Sequence, residues 1–71
     1  MTSKEFIDHV NELLWIEDGG PRFEIDGLFV YLGSRFICTE GRLRALLGSL
    51  SDLDCSRVAD LIADVARAAL N

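Results

Sequence analysis

The stretch RFEIDGLFVYLGSRFICT, residues 22–39, decides the fold. Its apolar residues recur with a period of two, the repeat of a strand that buries one face. Asp26-Gly27 is a two-residue hairpin signal, because a type I′ turn needs positive φ at both central residues. Gly33-Ser34 is a second. Together they predict a three-stranded antiparallel meander over about 22–25, 28–32 and 35–39. With two-residue loops, Val30 falls opposite both Phe23 and Ile37. One sheet face then carries Phe23, Ile25, Leu28, Val30, Leu32 and Ile37. The other carries Arg22, Glu24, Phe29, Tyr31, Phe36 and Cys38. A solvated sheet face is ordinarily polar, whereas this one holds an aromatic cluster.

The flanks read as helices. Thr2-Ser3-Lys4-Glu5 fits a capping box, with Thr2 as N-cap and Glu5 reaching back to its amide. Phe6, Ile7, Val10, Leu13 and Leu14 follow at spacings of three and four, one apolar stripe of a helix. Asp18-Gly19-Gly20-Pro21 should end it. After Gly41, Leu43, Leu46 and Leu47 fit a short helix that stops near Gly48. Ser51-Asp52-Leu53-Asp54 supplies a cap and negative charge for a last helix. Val58, Leu61, Ile62, Val65, Ala66 and Ala69 form its expected buried stripe, with Arg57, Asp60, Asp64 and Arg67 outside. The order α-βββ-α-α over residues 1–71 predicts a single small α+β domain.

Composition narrows the function. The 71 residues are 49% hydrophobic and 27% charged, enough apolar material to fold around. Twelve acids against seven bases give a net charge of −5, the wrong sign for neutralising phosphates, so nucleic acid is disfavoured as a partner. The acids crowd the first third: residues 1–26 hold seven of them and only two bases. Residues 27–50 hold one acid and three arginines, Arg35, Arg42 and Arg44, a candidate anion patch. Two cysteines with no secretory leader do not make a disulfide framework. No apolar run approaches the ~20 residues of a membrane span. A cytoplasmic protein with reduced thiols is expected.

No motif points to catalysis, a metal or a cofactor. His9 has Glu5 and Glu12 on its flank, but a zinc site needs three or four ligands, and a partly exposed helical histidine accounts for it. Asp52-Leu53-Asp54-Cys55-Ser56 fails as a calcium loop, with Arg57 at the glycine position and Ala63 at the closing glutamate. The same residues are similar to the Asp-x-Asp motif of haloacid-dehalogenase phosphatases, a likeness of five residues. Those enzymes carry it at the end of a parallel strand in a far longer chain, and helix capping explains both aspartates here. There is no Gly-x-Ser-x-Gly elbow, no histidine beside a cysteine and no phosphate loop at Gly19-Gly20.

Two features point to binding. On a helix wheel of residues 4–16, Trp15 lies about 180° from Phe6, where a tryptophan is a hot-spot candidate. The other reading has the helix fraying there and Trp15 turning inward. Phe29, Tyr31 and Phe36 form the second feature, unless a helix covers them. Three helical stripes and two apolar sheet faces exceed what so short a chain can bury, and oligomerisation is one of the few remedies without disulfides or metal. The expectation is a non-enzymatic protein-binding module, a homodimer that inhibits or tethers a partner protein through Phe29, Tyr31, Phe36 and Trp15. Asp8, Glu12, Glu17 and Asp18 would steer a basic surface toward it. In habit, a tiny acidic chain without catalytic groups resembles the small accessory proteins of bacteriophages and mobile elements. Many of those inhibit a host machine by covering one of its surfaces, which implies the same role. The competing expectation is a regulator or sponge that holds a nucleotide or nucleic acid through Arg35, Arg42 and Arg44, with Phe36 or Tyr31 stacking.

Overall fold

A computed structural model describes residues 1–14 and 20–70, with the side chain of Leu70 left out. The elements run α1 (Ser3–Leu14), β1 (Phe23–Asp26), β2 (Phe29–Leu32), β3 (Arg35–Thr39), α2 (Glu40–Gly48) and α3 (Asp52–Leu70). The α+β order α-βββ-α-α is the one expected from the sequence. The expected helix stop at 18–21 and the side chain of Trp15 fall wholly or partly outside the described residues, as do Glu17 and Asp18.

The capping box forms: the Thr2 hydroxyl accepts from the Glu5 amide at 3.1 Å, and a Glu5 carboxylate oxygen accepts from the Thr2 amide at 3.0 Å. That Thr2 amide, and then the Thr2 hydroxyl, hold the Glu5 carboxyl below its ordinary value of 4.5. A depressed native pKa stabilises the fold above the unfolded-state pKa, and the contribution disappears as pH falls through the native value. Wild type should therefore be more stable than Glu5→Gln at neutral pH. Urea midpoints of the two should converge in strong acid. Thr39 caps α2 by accepting from the Arg42 amide at 3.2 Å, and Ser51 caps α3 by accepting from the Asp54 amide at 3.1 Å.

The sheet has order β1-β2-β3, all antiparallel. The first hairpin differs from the expected one. Its loop is Gly27-Leu28, so Ile25, not Phe23, faces Val30, and Phe23 faces Leu32. Glycine takes the first loop position at φ +61°, which spares Asp26 the left-handed conformation and keeps it in the strand opposite Phe29. Gly33 does the same at φ +62° in the second loop. A shift of two residues preserves which face each β1 side chain occupies. Leu28, expected in the core face, is instead a loop residue and 73% exposed.

Along β3 the ladder slips. Tyr31 pairs with Phe36 but Val30 pairs with Cys38, not Ile37, leaving Ile37 as the extra residue of a bulge. Cys38, expected among the aromatics, thereby turns to the Val30 side and packs against the core.

All three helices lie on the Val30 side, and the molecule is only 17 Å across its shortest axis, room for one sheet and one helical layer. The core joins Phe6, Ile7, Val10 and Leu14 of α1 to Phe23 and Val30 of the sheet, Leu43 and Leu47 of α2, and Cys55, Ala59, Ala63 and Ala66 of α3. The α3 stripe is the main correction to the sequence reading. Of the expected stripe, Ala66 is buried and Val58 and Ile62 pack against the core. The fully buried positions, however, are the small residues Cys55, Ala59, Ala63 and Ala66, while Leu61 and Val65 are 64% and 69% exposed and Ala69 is exposed too. Phe6 and Val10 already fill the seam with α1, so α3 can approach only where its side chains are short. Leu46 of α2 is likewise exposed rather than buried.

Candidate protein-binding surface

The side of the sheet away from the helices carries Phe29, Tyr31 and Phe36. Adjacent strands place them together: Phe36 is the cross-strand partner of Tyr31, and Phe29 lies two residues along β2. Phe36 meets Phe29 edge-to-face with ring centroids 5.9 Å apart, and Tyr31 likewise at 6.1 Å. These distances fall in the range where the positive edge of one ring meets the negative face of another. No helix packs over them, so Phe29 and Phe36 remain 44% and 53% exposed, with Tyr31 half-buried. The slip at Ile37 matters here. It leaves Phe36 on the outer face while sending Cys38 inward, so the outer face keeps its three aromatic rings and loses its thiol.

The arginines of the candidate anion patch are dispersed. Arg35 starts β3, whereas Arg42 and Arg44 lie on α2, beyond the other end of that strand. Arg44 is already paired with Glu40 at 3.1 Å. Arg42 and Arg44 diverge around α2 by about 200°. Among the acids expected to steer a partner, Asp8 accepts from Lys4 at 2.8 Å and Glu12 is exposed.

The remaining chemistry-bearing residues are accounted for by packing and capping. His9 is half-buried on α1. Asp52 lies 3.6 Å from the N-terminal amine and Asp54 lies 3.8 Å from Arg57, both in the first turn of α3, where carboxylates offset the helix dipole. Cys55 is buried, its sulfur 3.8 Å from the Leu47 carbonyl. Among the described residues, no group of three His, Cys, Asp or Glu side chains is placed to hold a metal ion. No helix among them is long and apolar enough to cross a membrane.

Two positions escaped the sequence reading. Asn11 donates through Nδ2 to the Phe23 carbonyl and accepts through Oδ1 from the Phe23 amide, both at 2.9 Å, so one amide side chain binds α1 to β1. Arg67, expected only to pair with Asp64, does so at 3.0 Å and also donates to the Leu13 carbonyl in the last turn of α1. Neither contact has a local signal, since the partners are 12 and 54 residues apart.

A second apolar surface opens between α3 and the sheet. This groove of about 430 Å³ has Val10 and Val30 at its floor, Leu61 and Val65 on one wall, and Arg35 and Ile37 on the other. Compared with protein-family models, curated proteins and solved structures, the chain matches none of them.

Proposed function

We propose that this chain is a non-enzymatic protein-binding module, a small inhibitor or adaptor that acts as a homodimer and covers or tethers a partner protein. The aromatic face of Phe29, Tyr31 and Phe36 carries the reading. Exposed antiparallel sheet faces are ordinarily polar, and aromatics are enriched where binding energy concentrates. Edge-to-face contacts also hold these rings in place before binding, which lowers the entropy lost on docking. The acid excess of residues 1–26 suits a basic partner surface and would speed encounter more than it tightens the complex.

The test is a photo-crosslinking amino acid at Phe36, introduced in cells where the chain is native. One discrete heavier adduct should form, and it should be lost when Tyr31→Ser is added. The Tyr31→Ser/Phe36→Ser pair should retain the far-ultraviolet circular dichroism of the parent, because both side chains lie outside the core. Its affinity for the protein identified by the adduct should fall at least tenfold. A folded double variant that binds that protein as tightly as wild type would defeat the proposal.

A further inference from the structure

We infer that the chain associates with a second copy of itself through the outer seam of α3 and the groove beside it, leaving the aromatic sheet face free for a different protein. The inference rests on the homodimer reading above and assigns that dimer its surface.

The pattern on α3 comes first. Val58, Leu61, Val65 and Ala68 recur at intervals of three, four and three, the spacing of a coiled-coil seam rather than of the wider stripe that packs on a globular core. The fully buried stripe is Cys55, Ala59, Ala63 and Ala66, with Val58 and Ile62 half-buried beside it. The seam therefore starts at the edge of the core with Val58 and runs outward, leaving Leu61, Val65 and Ala68 turned to solvent. Read as a heptad, the seam has valine at both a positions and leucine at the first d position, the choice that favours two parallel strands. A fitting occupant is another helix with the same seam, which a second copy supplies.

Area gives an independent reason. A folded monomer of 7.9 kDa exposes about 4,400 Å² by the usual surface scaling, whereas this chain exposes 4996 Å². The excess of about 600 Å² approaches the ~800 Å² per partner of a standard interface.

Charge also separates the two surfaces. Two copies at −5 each repel overall, so like should meet like where the charge is balanced. The span 57–67 of α3 meets that condition, with Arg57 and Arg67 against Asp60 and Asp64. Arg35, on the far wall of the groove, has no ion-pair partner among the described residues. In a parallel pairing, the flank of one α3 that bears Asp64 and Arg57 turns toward the partner's groove side, so Asp64 approaches that Arg35. Two-fold symmetry makes the contact twice.

The deciding measurement is solution mass by sedimentation equilibrium across a concentration series, with three proteins compared. Wild type should populate a species of twice 7.9 kDa. Leu61→Glu/Val65→Glu should weaken self-association at least tenfold while keeping its helical signal, and the milder Leu61→Gln/Val65→Gln pair guards against an effect on folding. Tyr31→Ser/Phe36→Ser should stay dimeric. A dimer that survives both folded α3 pairs but dissociates in the aromatic pair overturns this assignment and keeps the homodimer. A wild type that stays at 7.9 kDa at every concentration overturns both.

Discussion

Phe6→Ala should leave the chain without a cooperative unfolding transition at room temperature, or with one close to its midpoint in plain buffer. Phe6 is among the largest side chains fully enclosed in the core, 1% exposed where α1 meets α3. Truncating a buried phenylalanine typically costs ~3–5 kcal/mol, the transfer term plus the cavity left behind. A domain of this length holds only about 4–10 kcal/mol in total. One substitution therefore removes a large share, or all, of the stability. The informative control is Leu53→Ala, a leucine in the first turn of α3, outside the proposed seam and 62% exposed. It should shift a urea midpoint by less than about 0.5 kcal/mol equivalent. Equal losses from the two substitutions would mean that α3 presents a different face to α1.

Asn11→Ala should be the next most damaging change, at about 2–4 kcal/mol by thermal or urea unfolding. The side chain satisfies both the amide and the carbonyl of Phe23, and a half-buried polar group left without a partner costs ~1–3 kcal/mol. Asn11→Asp separates the two bonds. It retains an acceptor for the Phe23 amide but sets a carboxylate oxygen against the Phe23 carbonyl, so it should not rescue the loss. Hydrogen exchange at the Phe23 amide provides the local readout. That amide should be protected in wild type and exchange much faster in Asn11→Ala, ahead of the Val30 amide in the middle of the sheet.

Much of this architecture follows from short-range pattern. The capping box, the three strands, the Gly33-Ser34 loop and the outward cluster of Phe29, Tyr31 and Phe36 are all set by residues a few positions apart, so they are legible in the sequence. The register of the first hairpin is less so. Asp26-Gly27 marks the turn, but whether the aspartate enters the loop depends on which residue takes the positive φ. The slip at Ile37 leaves no local mark, because an extra residue in a strand looks like any other apolar residue. The α3 face is misread for a different reason. Ala66 is placed correctly, but counting hydrophobic bulk adds Leu61 and Val65, whereas a close helix contact selects Cys55, Ala59 and Ala63 for being small. Asn11 and Arg67 depend wholly on tertiary placement. The candidate surface was thus visible in its aromatic part. The groove and the outer seam of α3 emerge only once the packing direction of α3 is known.

The Asn11 clamp and the Ile37 bulge together have a consequence for assembly. A small sheet with two open borders invites strands from neighbouring molecules to extend it without limit. Here the outward amide and carbonyl of Phe23 on one border are occupied by Asn11, and the opposite border is broken in its middle by a residue out of step. Both features make strand addition less favourable at the two borders, so any association this chain makes should run through side-chain surfaces and stay finite rather than fibrous.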